Sequence, residues 1–87
     1  EKVDPARVEQ ALATVAPTLV LGLPDATWGE RVVALAVGDA SLEPALRQAA
    51  EQLEPAARPK AYAFVAELPT DGRGKTDRPA ARALFEA

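Results

Sequence analysis

The run Arg31-Val32-Val33-Ala34-Leu35-Ala36-Val37 is almost unbroken in apolar character. A strand wetted on one side alternates apolar and polar residues, whereas an unbroken run has both faces covered. The chain has only 87 residues, near the lower end of what folds unaided. That one strand therefore dictates a small sheet with helices packed against it.

The rest of the chain supplies those helices. Asp4-Pro5 is a helix start, because Asp4 can accept from free amides and Pro5 suits the first helical position. Val8, Ala11, Leu12 and Val15 then recur at helical spacing over about residues 5–15, and Pro17 stops the run. Thr18 to Leu21 is short, apolar and partly β-branched, and reads as a buried strand ended by Gly22. Leu23 to Thr27 is turn-like, and Trp28-Gly29-Glu30 leads into the strand at 31–37, closed by Gly38-Asp39. Ser41 can cap a second helix bearing Leu42, Leu46, Ala49 and Leu53, with Pro44 confined to its first turn and Glu54-Pro55 at its end. Ala61 to Leu68 reads as a third strand. Asp77 can cap a last helix through Pro79, Ala80, Ala81, Leu84 and Phe85. The expected fold is α+β, a small mixed sheet of three main strands covered by three helices in the order α-β-β-α-β-loop-α. No repeat or linker interrupts it, so residues 1–87 read as a single domain.

Composition removes several kinds of chemistry. The chain has no cysteine and no histidine, which excludes disulfides, thiol or serine–histidine nucleophiles and zinc sites of the usual kind. A formal charge of −3 argues against nucleic acid as a partner, since phosphate binding needs a basic face. No run approaches the ~20 apolar residues of a membrane span. No signal peptide is visible, and a cytoplasmic location is expected. Alanine supplies much of the apolar content and only four aromatics are present, so the core is thin and modest stability or a covering partner is expected.

Leu68-Pro69-Thr70-Asp71-Gly72-Arg73-Gly74-Lys75-Thr76-Asp77-Arg78 sets a lysine on a glycine-hinged loop between a strand and a helix. Gly72 and Gly74 permit positive φ or close approach to a ligand. Lys75 is one of three lysines in the chain, a compact cation on a flexible stem, suited to reach a phosphate or carboxylate held elsewhere. The plainer alternative is a solvated lysine in a glycine turn. A P-loop, G-x-x-x-x-G-K-[ST], is opposed by the residues: its first glycine would fall at Pro69, which has no N–H to offer phosphate. A single short helix comes after Lys75, with no later strand to bring a magnesium-binding aspartate.

Four segments carry a family resemblance, in order along nearly the whole chain. They are Glu1-Lys2-Val3-Asp4-Pro5 with Val8-Glu9; Gly22-Leu23-Pro24-Asp25 with Trp28-Gly29-Glu30-Arg31-Val32-Val33-Ala34; Arg58-Pro59-Lys60 before an aromatic strand; and Leu68-Pro69, Gly74-Lys75 and Asp77-Arg78. Together they resemble the small C-terminal domain of the adenylate-forming enzymes, which include acyl-CoA synthetases, aryl-CoA ligases and the adenylation domains of peptide synthetases. The segment between the first helix and Gly22 is shorter than the family's usual one. In that it is similar to the compact o-succinylbenzoate–CoA ligases.

The resemblance implies a mobile lid on a larger N-terminal adenylation domain of the same polypeptide, and the start at Glu1 without methionine suggests a domain excised from such a ligase. It implies an enzyme that joins a carboxylic acid to ATP, with Mg2+ expected, and then passes the acyl group to CoA while the lid rotates. The isolated 87-residue piece is expected to be inactive and to bind no cofactor alone. Lys75 would be the adenylation lysine, with Gly74 beside it. The Glu1 loop would line the thiol's approach, and Arg58 and Lys60 are candidates to meet CoA phosphates, against the alternative of a solvated strand start. No residue is expected to ligate metal in this piece. Trp28 reads as packing or domain contact rather than substrate stacking, Glu30 and Arg31 as turn and ion-pair residues, and Arg78 as structural, paired with a nearby carboxylate. A non-catalytic interaction domain of the same fold is the competing reading.

Overall fold

A computed structural model describes residues 3–27 and 29–86. The elements are α1 (Pro5–Leu12), β1 (Thr18–Asp25), β2 (Gly29–Val37), α2 (Glu43–Ala50), β3 (Ala61–Val65) and α3 (Arg78–Glu86), with 3-10 turns at Ala40–Leu42 and Pro55–Ala57. The α+β class and the order of elements are those the sequence implies.

β2 is the middle strand of the sheet, antiparallel to β1 and parallel to β3. An antiparallel neighbour can be joined through a tight turn, but a parallel one needs a crossover. Residues 38–60, which include α2, make that crossover. Val32, Ala34 and Ala36 face α1 and α2, packing with Val8, Leu12, Val20, Leu46 and Leu53. Val33 and Leu35 face the other way, with Leu19, Leu21, Leu23 and Ala81 of α3. The unbroken apolar run is thus explained by helices on both faces, and Leu35 is 0% exposed.

Element ends differ from the sequence reading for local reasons. Asp4 caps α1 as expected, accepting from the Ala6 amide at 3.0 Å. The helix stops at Leu12 rather than near Val15, and the amides of Val15 and Ala16 both turn back onto the Leu12 carbonyl. β1 does not end at Gly22: it runs through Leu23 and Pro24 to Asp25, paired with Gly29–Arg31 of β2. Leu23 continues the alternation of Leu19 and Leu21 into the core, and a proline is tolerated on an edge strand, where its missing N–H breaks no ladder. Asp39, not Ser41, provides the cap before α2, with Asp39 Oδ1 accepting from the Ser41 amide at 2.9 Å. The α-helix proper starts at Glu43, with Pro44 in its first turn. β3 ends at Val65 rather than Leu68, because its partner β2 has ended, and Gly38 donates to the Val65 carbonyl at 2.8 Å. Trp28 lies outside the described residues.

Candidate functional site

The segment between β3 and α3 folds back on itself. Thr70 and Thr76 form an isolated antiparallel bridge. Outside it, the Asp77 amide donates to the Pro69 carbonyl at 2.9 Å; inside it, the Asp71 amide donates to the Lys75 carbonyl at 2.7 Å. The Gly74 amide closes the tip onto the Asp71 carbonyl at 3.0 Å. This is the pattern of a three-residue hairpin loop, in which a turn leads into one residue in the left-handed region. Gly74 is that residue, with φ +82°. No atom lies within 4 Å of a Cβ built on it, so the glycine is required by backbone conformation and not by crowding. Gly72 is different: its φ is not positive, and the hinge the sequence assigned to two glycines belongs to one.

The Asp71 side chain adds to this frame, its Oδ1 accepting from the Arg73 amide at 2.8 Å and from the Lys75 amide at 3.1 Å. Lys75 is exposed. Among the described residues none accepts a hydrogen bond from its ammonium and none forms an ion pair with it. The lysine is therefore held firmly at its backbone and left open at its tip.

The helix beyond the loop is anchored to the sheet. Asp77 caps α3, accepting from the Ala80 amide at 3.0 Å. Arg78 donates to the Val20 carbonyl of β1 at 2.9 Å and lies 3.4 Å from Glu9 Oε2, the carboxylate pairing read from the sequence. Arg82, one turn later, donates to the Gly22 carbonyl at 3.3 Å. Sequence reasoning missed Asp71, Glu9 and Arg82. The Asp-Gly step at 71–72 was a usable signal for the first, since aspartate before a glycine turn caps nearby amides. Nothing local marks Glu9, whose partners lie elsewhere in the chain.

Arg58 and Lys60 each bind backbone carbonyls near their own place in the chain. Arg58 Nε donates to the Leu53 carbonyl at 3.0 Å and its terminal nitrogen to the Glu51 carbonyl at 3.1 Å, so it closes off the carbonyls after α2. Lys60 donates to the Pro55 carbonyl at 3.3 Å. Lys60 and Arg31 line one open cleft with Val3, Glu30 and Pro55. Glu1 lies outside the described residues. Among the described residues no group of three or more acidic side chains is placed to hold a metal ion, and no helix is long and apolar enough to cross a membrane.

The fold, with its helices on both faces of a three-stranded sheet, belongs to a known class. The model of the AMP-binding enzyme C-terminal domain matches residues 7–75, and the chain belongs to that family. It is similar to a medium/long-chain-fatty-acid–CoA ligase of Mycobacterium tuberculosis, with 36% identity over 93% of this chain and 17% of that protein. It is also similar to a 4-chlorobenzoate–CoA ligase of a Pseudomonas species, with 34% identity over 90% of this chain and 16% of that protein. Among solved structures, an amide bond synthetase of Marinactinospora thermotolerans superposes with a TM-score of 0.87 at 29% identity, over 98% of this chain and 19% of that one. A fatty acyl CoA synthetase of M. tuberculosis gives a TM-score of 0.85 at 28% identity, over 98% and 18%. The chain thus spans less than a fifth of the length of these relatives.

Proposed function

We propose that residues 1–87 are the mobile C-terminal domain of an ATP-dependent carboxylate–CoA ligase, working with a larger adenylation domain of the same polypeptide and supplying the cation of its first half-reaction from Lys75. The observation that carries this reading is the lysine's combination of a fixed backbone and a side chain with no acceptor of its own among the described residues. Adenylation brings an anionic carboxylate onto the anionic α-phosphate of ATP, and mutual repulsion is a main obstacle. A lysine is cationic at neutral pH. Set between the two groups where water is excluded, it offsets that repulsion and steadies charge on the transferred oxygens. An exposed ammonium with no partner among the described residues fits anionic groups bound outside this domain. A point charge on a flexible stem can also withdraw when the domain turns, which a bidentate guanidinium does less readily.

In the second half-reaction the acyl group passes to CoA, and this chain would present another face. Lys60 and Arg31, on their shared cleft, are the cations suited to its phosphates. Arg58 is better explained by the carbonyls it already binds. Gly74 serves by its backbone conformation, and Glu1 would lie on the thiol's approach. Magnesium would be held by ATP and the larger domain, in a cytoplasmic enzyme. The acid could be fatty, as in the mycobacterial relative, aromatic, as in the Pseudomonas one, or o-succinylbenzoate.

The test separates the half-reactions in the full-length ligase. Lys75→Ala is expected to lower acid-dependent ATP–pyrophosphate exchange roughly 10²–10³-fold, the usual cost of one preorganised electrostatic contact. Thioester formation from supplied acyl-adenylate should survive. Equal loss in both halves would contradict the assignment, and full retention of both would favour a non-catalytic interaction domain.

A further inference from the structure

We infer that Asp71 is the positioning residue for Lys75, the group that fixes where the catalytic cation starts from. This rests on the role proposed for Lys75 and adds to it a residue that never touches substrate. Asp71 grips the lysine's own peptide groups from two sides. Its main-chain amide donates to the Lys75 carbonyl at 2.7 Å, and its Oδ1 accepts from the Lys75 amide at 3.1 Å. It also holds the tip, through the Arg73 amide at 2.8 Å and the Gly74 amide at 3.0 Å.

Little else could do this work. The hairpin has a single bridge, Thr70 to Thr76, and a two-stranded ribbon is marginal in water by itself. The tip residues Gly72, Arg73, Gly74 and Lys75 are all exposed, so no core packing restrains them. A lysine stem has several rotatable bonds, and the volume its ammonium samples is set by where its Cα is pinned. Misplacement by about 1 Å can cost on the order of 10²-fold in a reaction that depends on orientation.

The same carboxylate could have neutralised the lysine, four positions away. It does not: its Oδ1 accepts from two amides, and among the described residues Lys75 has no ion-pair partner. Asp71 thus orders the loop while leaving the lysine's charge available. The useful property is an oxygen acceptor at this position, not the negative charge, and that distinction can be tested because asparagine keeps the acceptor and drops the charge.

The experiment uses the full ligase with three variants, Asp71→Ala, Asp71→Asn and Lys75→Ala. Three quantities are read: ATP–pyrophosphate exchange, thioester formation from supplied acyl-adenylate, and hydrogen exchange of the peptide covering residues 70–77 without substrates. D71A is expected to speed amide exchange in that peptide and to slow adenylation by roughly 10–10²-fold, with thioester formation kept. D71N is expected to stay within about threefold of the parent in adenylation, as a substitution that disturbs no key contact does, and to retain amide protection. If D71N is as impaired as D71A, charge and not geometry is what matters, and the inference is overturned. If D71A adenylates normally while K75A does not, the inference fails and the lysine's role stands. If K75A itself adenylates normally, both fall.

Discussion

Glu9 and Arg78 are 69 positions apart in sequence, yet Glu9 Oε2 lies 3.4 Å from a terminal nitrogen of Arg78, and together they bind both polar backbone groups of Val20. The Val20 amide donates to Glu9 at 2.8 Å, and the Val20 carbonyl accepts from Arg78 at 2.9 Å. β1 is an edge strand, and unpaired edges invite pairing with other chains. Here two side chains stand in for the missing neighbour, and Arg82 extends the cover to the Gly22 carbonyl. The same contacts fix α3, and so one end of the loop that carries Lys75.

Loss of that anchor should be measurable as stability. The pair is half exposed at Arg78, with side-chain exposures of 50% and 23%, so its ionic part is worth little. The bond from a charged donor to the Val20 carbonyl contributes more. Arg78→Ala is expected to cost about 1 kcal/mol, which for a domain of this size lowers Tm by roughly 4–8 °C. Glu9→Ala made together with it should cost less than the sum of the single changes, because the two share Val20. Additive effects in thermal melts would show that the contacts are independent.

The two loop glycines should respond differently to alanine. At Gly74, with φ +82°, a Cβ meets no atom but the backbone is strained by about 1–2 kcal/mol. At Gly72, whose φ is not positive and where a Cβ also meets nothing, alanine should be neutral or stabilising by roughly 0.4–1 kcal/mol through the unfolded chain. Denaturant melts of the two variants check this, and equal behaviour would contradict the hairpin geometry.

On the opposite side of the sheet from α3, Arg47 lies over the ring of Tyr62, 4.9 Å from its centroid. Burial pushes the Tyr62 phenol above its ordinary 10.0, Arg47 opposes the rise, and Glu43 adds to it. Because the folded value is the higher one, this contribution to stability is complete below pH 10.0 and fades as pH rises through the folded midpoint. Tyrosinate absorbance should titrate above that value. Arg47→Ala should move the midpoint further up, and Glu43→Gln down. A shift of the opposite sign in either variant would contradict the arrangement.

Much of this architecture could be read from the residues alone. The run at 31–37 demanded cover on both faces, and α1 and α2 on one side with α3 on the other provide it. Asp4 and Asp77 could be read as caps because a cap depends only on neighbours within a turn. β1 could not be read past Gly22, because Gly-Leu-Pro-Asp has turn composition and only its place on an edge makes it strand. Arg58 reads from the sequence as either a phosphate-meeting cation or a solvated strand start, and its bonds to the carbonyls of Leu53 and Glu51 have no local signal. Lys75 stood out by sequence. The bonds Asp71 accepts are local and signalled by its Asp-Gly step, whereas the Glu9–Arg78–Val20 junction joins residues remote in the chain.

Whether Lys75 meets the reacting groups can be asked of its ammonium itself. In the full-length ligase, acylation of Lys75 by an amine-reactive reagent is read by mass spectrometry in three states: free, with ATP and a non-reactive acid analogue, and with CoA added to the bound acyl-adenylate. Ready labelling is expected in the free enzyme, strong protection when ATP and acid are bound, and renewed labelling in the thioester-forming state. Equal labelling of Lys75 in all three states would mean that the cation never reaches the reacting groups.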